Sequence, residues 1–159
     1  MLSKPHNKHL LGFTLVEVVI VVAIIAVLAA IAIPRLSRGT SGAADSALEQ
    51  SLSVLRRAID HYAVEHNGEY PKVAKITNQL TRYTNEQGQA RLNPDATHIY
   101  GPYLRSIPPL PVGERVGNTG ISDTDANDVG WIYRMNTGHI RANTSNSERS
   151  ESGVRYRDF

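Results

Sequence analysis

The apolar residues of this chain are distributed very unevenly. From Phe13 to Ile33 there are 21 residues, and only Thr14 and Glu17 among them are polar. An apolar run of about 20 residues is long enough for a helix to cross the hydrocarbon core of a bilayer. After Arg35 the residues are those of an ordinary water-soluble domain. The pattern predicts a transmembrane helix over residues 13–36, followed by a globular region.

A second pattern follows the apolar run, in which apolar residues recur at helical spacing. Intervals of 4, 3, 4 and 3 residues predict one apolar stripe on an amphipathic helix that occupies residues 37–67. Asn67-Gly68 should end this helix, and Pro71 follows shortly afterwards. The simplest role for the stripe is packing on a small sheet. Its members are Leu48, Leu52, Leu55, Ile59 and Tyr62.

The remaining patterns predict a globular α+β region over residues 68–143. Apolar residues spaced 3, 4 and 3 apart indicate a short second helix. The turn Asn136-Thr137-Gly138 lies between two strand-like stretches and predicts a β-hairpin. Residues 144–159 are polar and read as a flexible tail or a weak sheet edge. The expected fold is a long N-terminal helix, half of it transmembrane, packed on a small antiparallel sheet. The predicted second helix carries Val73, Ile76, Leu80 and Tyr83, and the hairpin strands are 130–135 and 139–142.

The segment before the apolar run is short, polar and basic. Lys4 and Lys8 favour a cytoplasmic N-terminus, which leaves the rest of the chain outside. A secretory signal peptide is the alternative, and Ala29-Ala30 imitates its cleavage site. The apolar run, however, continues through Ala32-Ile33. We therefore favour a retained anchor over a cleaved signal.

Glu17 is an acidic residue only five positions into the apolar run. A carboxylate inside a membrane is energetically expensive, so such a residue is a candidate for function. The alternative is that Glu17 lies near the lipid headgroups and has no special role. The neighbouring residues favour function.

The segment Gly12-Phe13-Thr14-Leu15-Val16-Glu17, followed by the apolar run and Pro34, resembles the class III signal of type IV pilins and type II secretion pseudopilins. This resemblance implies that a prepilin peptidase removes the leader, residues 1–12, by cutting between Gly12 and Phe13. It also implies that Phe13 becomes an N-methylated N-terminus. Glu17 would then neutralise the terminal amine of a neighbouring subunit, since two buried opposite charges repay their desolvation only when paired.

Two later stretches resemble one branch of this superfamily, the major (G-type) pseudopilin. They are the helix end through Asn67-Gly68-Glu69-Tyr70-Pro71 and the stretch Gly101-Pro102-Tyr103-Leu104. The resemblance implies a pilin-like fold and a pseudopilus subunit that polymerises through its N-terminal helix to drive protein secretion. Its expected partners are copies of itself, minor pseudopilins, the prepilin peptidase, an inner-membrane assembly platform and membrane lipid. Its expected place is the inner membrane as a single-pass protein, with a periplasmic C-terminal domain.

Two other functions remain open. One is a type IV pilin for adhesion, motility or DNA uptake, although the chain lacks the cysteine pair of the commonest pilins. The other is a membrane-tethered binding module that never polymerises. The cleavage signal and Glu17 favour the filament subunit over the binding module.

Pro34 is expected to kink the helix or open it locally, because it removes a backbone donor and clashes with the preceding turn. Gly39 and Gly42 weaken the next turns by about 1 kcal/mol each relative to alanine. The stretch Pro34–Gly42 therefore suits a segment that melts when subunits pack, as in related filaments. It suits a simple linker between membrane and domain equally well.

The sequence departs from major pseudopilins after Ile107. A proline-rich stretch, residues 108–114, stands where those proteins carry a different conserved segment and later a calcium-binding loop. The acidic candidates here are Asp123, Asp125 and Asp128, whose oxygen atoms would suit Ca²⁺. No bidentate glutamate follows them, and a solvated turn explains the stretch equally well. A calcium site at these three residues is thus one of two interpretations.

Charge and composition exclude several other functions. Lys and Arg number 17 against 15 acidic residues, and removal of the leader with Lys4 and Lys8 leaves the counts equal. A nucleic-acid-binding protein normally carries a concentrated basic patch, so no nucleic acid partner is expected. The chain has no cysteine, and its six histidines lack the spacing of a zinc protease. We expect no enzymatic activity.

Overall fold

The structure is a computed structural model that describes residues 14–159, apart from the side chains of residues 31–41. The described fold is α+β, as expected. It opens with one long helix and continues with short helices and strands. In chain order these are α1 (Leu15–Glu65), a 3₁₀ turn (Val73–Lys75), α2 (Ile76–Thr81), β1 (Tyr83–Thr84), β2 (Ala90–Arg91), β3 (Gly120–Ser122), β4 (Val129–Arg134), β5 (His139–Ala142) and a second 3₁₀ turn (Tyr156–Asp158).

The chain divides into two compact units, Met1–Gly39 and Thr40–Phe159. The boundary lies within the stretch Pro34–Gly42 that the sequence singled out. The helical backbone of α1 continues through Pro34. The predicted kink or local opening at Pro34 stays a prediction. Within the described residues, no helix combines the length and the apolar character that crossing a membrane requires.

The predicted apolar stripe of α1 forms the centre of the second unit. All five of its side chains are at most 3% exposed, which confirms the periodicity argument. They pack against Trp131 and Tyr133 of β4 and Ile140 of β5, each of which is fully buried. Trp131 donates its indole N–H to the main-chain oxygen of Pro108 at 2.9 Å, so its polar atom is satisfied inside the core.

Asn67 and Gly68 terminate α1 as predicted. Both adopt positive φ angles, 56° at Asn67 and 84° at Gly68. The N–H of Gly68 donates to the main-chain oxygen of Ala63 at 2.8 Å. A left-handed residue that returns its N–H to the last turn satisfies carbonyl groups that the helix leaves unpaired.

The predicted second helix forms only in part. Ile76 and Leu80 are buried in the core as expected, but Tyr83 begins β1 instead of ending a helix. The cause is pairing across the chain, because Thr84 and Tyr100 exchange two main-chain hydrogen bonds of 2.9 and 3.1 Å. Helical spacing alone could not reveal this distant partner.

The larger sheet is mixed, which corrects the prediction of an antiparallel sheet. Strands β4 and β5 form the predicted antiparallel hairpin, whereas β3 runs parallel to β4. Parallel neighbours normally need a long crossover. Here β3 spans only about 10 Å, and a six-residue connection can span about 20 Å. The connection, residues 123–128, is therefore long enough to return the chain to the start of β4.

Residues 144–159 are packed onto the domain, which corrects the prediction of a flexible tail. Tyr156 and Phe159 pack against the core, and Arg149 pairs with Arg155 as an isolated antiparallel bridge. Arg56 of α1 donates to the main-chain oxygen of Phe159 at 2.8 Å. These contacts connect the segment to α1 and to the sheet, and they explain why a polar composition does not leave it free.

Glu148 fastens this segment to a distant turn. Its carboxylate accepts the N–H groups of Ser145 at 2.5 Å and of Glu114 at 2.6 Å. A side chain at Gly113 would collide with this carboxylate, and glycine also suits the positive φ of 76° there. Burial by itself raises the pKa of Glu148, but the two N–H donors and Arg115 outweigh it, so the pKa lies below its ordinary value.

We expect Leu55→Ala to lower the free energy of unfolding by about 2–5 kcal/mol, because it leaves a cavity at a fully buried position. Val54→Ala is the matched control on the same helix, since Val54 is 41% exposed. Denaturant unfolding of the two variants in nonionic detergent would measure the difference. An equal loss of unfolding free energy in both variants would contradict the assignment of Leu55 to the buried face of α1 and of Val54 to its exposed face.

We expect Glu148→Gln to destabilise the chain by about 1 kcal/mol at neutral pH, since charged hydrogen bonds are lost at a partly exposed site. A carboxyl whose pKa is lowered by folding stabilises above its unfolded pKa, near 4.5, and this contribution disappears as the pH falls through the folded value. The difference between wild type and variant should therefore shrink below pH 4.5. Glu151→Gln, an exposed change in the same segment, is the control, and a difference that persists in acid would refute the ionic role.

Candidate functional site

The described part of the candidate site begins at Thr14, which caps helix α1. Its hydroxyl oxygen accepts the N–H of Glu17 at 3.3 Å, and its main-chain oxygen accepts the N–H of Val18 at 3.3 Å. Threonine at the N-cap with glutamate three residues later is the pattern of a capping box. Neither interpretation of Glu17 from the sequence, an assembly residue or a residue near the lipid headgroups, included a role in the helix cap. The Thr-x-x-Glu spacing was the signal that could have revealed the cap.

Glu17 lies in the first turn of α1 and its side chain is exposed. A carboxylate here interacts favourably with the partial positive charge of the helix N-terminus. An exposed carboxylate also remains free to meet a cation from another molecule. The geometry is therefore compatible with both a local cap and an intermolecular ion pair.

The helix that follows Glu17 presents apolar side chains on all sides. Eleven large apolar residues between Leu15 and Leu28 are between 46% and 81% exposed in the single chain. A continuous apolar surface of this kind marks a site of contact with protein or membrane. Glu17 thus lies at the polar beginning of a helix whose surface requires a cover.

Gly12 and Phe13, the predicted cleavage and methylation positions, lie outside the described residues. Their roles stay predictions from the sequence.

Comparison with protein families identifies this segment. Residues 9–33 match the family described as the prokaryotic N-terminal methylation motif. The motif indicates a type IV pilin-like precursor. It spans Gly12, Phe13 and Glu17, and it implies processing by a prepilin peptidase and assembly into pilus-like filaments.

The match covers 25 of the 159 residues and therefore describes the N-terminal segment. No curated protein matches the chain, and no solved structure matches it. The likeness to the major pseudopilin consequently rests on the residues quoted from the sequence.

The three aspartates proposed for calcium do not form a cluster, which corrects that interpretation. No group of three or more His, Asp or Glu side chains among the described residues is placed to hold a metal ion. Asp125 is already engaged, because it accepts a hydrogen bond from Asn143 at 3.1 Å and pairs with Arg115 at 2.7 Å. Asp123 and Asp128 do not join it. The neighbours of the Asp125 carboxylate are thus the guanidinium of Arg115 and the amide of Asn143.

His66 is a buried polar residue whose position the sequence did not reveal. It is 2% exposed and stacks on the ring of Tyr62 at a centroid distance of 3.8 Å. Its Nδ1 lies 2.8 Å from the main-chain oxygen of Tyr62, and its Nε2 lies 3.0 Å from that of Asn85. The ring joins the end of α1 to the segment after β1, which is a structural role.

Proposed function

We propose that this protein is a filament subunit with no catalytic activity, processed at Gly12 and assembled through α1. The observation that carries the proposal is the N-terminal methylation motif at residues 9–33. The capped, apolar helix that begins at Thr14 supports it, because such a helix needs neighbours or lipid to cover its surface.

We further propose that the helix anchors the subunit in the inner membrane before assembly, with the globular unit in the periplasm. The support is the run from Phe13 to Ile33 in the sequence and the basic residues that precede it. Within this proposal the filament is the pseudopilus of a type II secretion system. Its partners are minor pseudopilins and the assembly platform.

Processing is the first test. The mature chain in the membrane fraction should begin with N-methylated Phe13, and Gly12→Val should leave the leader attached. The reason is that a residue without a side chain lets the peptidase approach the backbone closely. Intact-mass measurement of both proteins would show this. Ser3→Val, a change of similar size within the leader, is the control. Cleavage after Ala30, or an unprocessed wild type, would refute the proposal.

Assembly through Glu17 is the second test. Glu17→Gln keeps a polar side chain in the first turn of α1 but removes the charge, whereas Glu17→Ala removes both; the main-chain N–H that Thr14 caps is present in each variant. If the carboxylate neutralises the amine of a neighbouring Phe13, both variants should be processed normally and both should lose filaments. An unpaired charge in an apolar environment costs several kcal/mol.

The readout is the amount of sheared filament and the ladder of chemically crosslinked oligomers at native expression. Thr14→Ala, which removes the cap but keeps the charge, is the matched control and should assemble. Filaments of Glu17→Gln at the wild-type level would refute the pairing of the carboxylate with a neighbouring amine. A wild-type chain that is processed but gives no ladder would instead favour the membrane-tethered binding module.

A further inference from the structure

The larger sheet has one face in the core and one face away from it. Trp131 and Tyr133 of β4 point into the core, and so do Ile140 and Ala142 of β5. Because neighbouring side chains along a strand alternate between faces, the residues between them lie on the other side. The register places Ile132 opposite Arg141 and Arg134 opposite His139 on this outer face.

The outer face carries a cluster of three arginines. Arg134 is exposed, Arg141 is half-buried beside Ile132, and Arg157 comes from the 3₁₀ turn that packs on β5. Burial lowers the pKa of Arg141, and the nearby positive charges of Arg157 and Arg134 lower it further, while Asp158 and Asp125 partly oppose this effect. Clustered like charges cost free energy in the isolated domain, so their presence calls for an explanation.

Two carboxylates lie close enough to Arg141 to raise its pKa, and each of them pairs with another arginine. Asp158 pairs with Arg155 at 2.6 Å, and Asp125 pairs with Arg115 at 2.7 Å.

Within the part of the chain that the structure describes, none of the three arginines of the cluster forms an ion pair. Arg157 donates to the amide oxygen of Asn146 at 2.6 Å and Arg141 to the main-chain oxygen of Ala142 at 3.3 Å. Both acceptors are neutral, so the positive charges are not cancelled by a direct ion pair.

A cleft of about 350 Å³ adjoins the cluster at Arg134. Asn136 and Thr137 of the hairpin turn contribute polar groups to it, and Asp123 contributes one carboxylate. Val73 and Met135 give it an apolar part. Arg115 and Arg155 balance Asp125 and Asp158, so the three arginines of the cluster stand against the one remaining carboxylate, and the combined surface stays positive.

We propose that this basic face, formed by Arg134, Arg141, Arg157 and the cleft beside Arg134, binds an acidic segment of a partner polypeptide. Guanidinium groups match carboxylates in shape and in charge. The amide and hydroxyl groups of the cleft can bond a peptide backbone, and its apolar part can hold a side chain. The proposal is independent of filament formation.

Other anionic partners fit the face less well. Nucleic-acid binding usually involves more phosphate contacts than three arginines provide, and single strands also need aromatic stacking platforms. The side chains named on this face include no Tyr, Trp or Phe. Recognition of anionic lipid typically uses clusters of four to eight basic residues. A short acidic peptide requires only a few well-placed cations.

The test uses the full chain in nonionic detergent and a fluorescein-labelled oligoglutamate peptide, with binding followed by anisotropy at low salt. Binding should weaken with added salt and should fall about tenfold or more in the double variant Arg134→Glu, Arg157→Glu, because two attractive charges become repulsive. The double variant Arg57→Glu, Arg105→Glu, at two other exposed arginines, changes the net charge equally; it is the matched control and should bind like wild type. If the double variant fails to fold, Arg157→Gln alone should still weaken binding measurably.

Two further ligands complete the experiment. An oligoglutamine peptide should not bind, and inorganic phosphate should not displace the acidic peptide at comparable concentration. The proposal is overturned if the wild type does not bind oligoglutamate, if Arg57→Glu, Arg105→Glu weakens binding as much as Arg134→Glu, Arg157→Glu, or if oligoglutamine binds equally. If phosphate binds to the wild type and its binding is weakened by the same arginine substitutions, the site binds small oxyanions, including lipid phosphate, and the proposal of a peptide site is overturned. Because the measurement uses unassembled chains, its failure would leave the proposed filament function unaffected.

Discussion

The globular unit depends on the burial of one face of α1 between Leu48 and Tyr62. A single β-hairpin is only marginally stable in water, and packing against this helix buries the apolar face of the β4–β5 hairpin. Trp131 and Tyr133 reach the helix from the strand at the centre of the sheet, so helix and sheet bury each other. Their apolar surface leaves water together, which is the dominant favourable contribution to folding.

Long irregular segments are fixed to this core by polar side chains that meet main-chain groups. Glu148 connects the last segment to the turn at Glu114, and the amide of Asn143 donates to the main-chain oxygen of Val129 at 2.8 Å. The ring of His66, at the end of α1, contacts the main-chain oxygen of Asn85, the residue after β1. Buried polar groups are costly when unpaired, so each such contact strongly favours one arrangement of its segment.

The N-terminal segment follows different physics, because its apolar residues are exposed in the single chain. Thr14 and Glu17 satisfy the helix start locally, while the helix beyond them needs lipid or neighbouring subunits. The two roles of Glu17 do not compete, since a cap uses the backbone N–H and an ion pair uses the charge.

The sequence by itself determined the features that depend on near neighbours along the chain. The stripe of α1, its end at Asn67-Gly68 and the hairpin of β4 and β5 follow from spacing and turn residues, and the motif at residues 9–33 is contiguous. Only the tertiary structure decided the parallel pairing of β3, the packing of residues 144–159 and the separation of the three aspartates. Each of these three features depends on contacts between residues that are distant in sequence. The ion pair between Arg115 and Asp125 is an example. Local pattern carries no information about which distant groups will meet when the core closes.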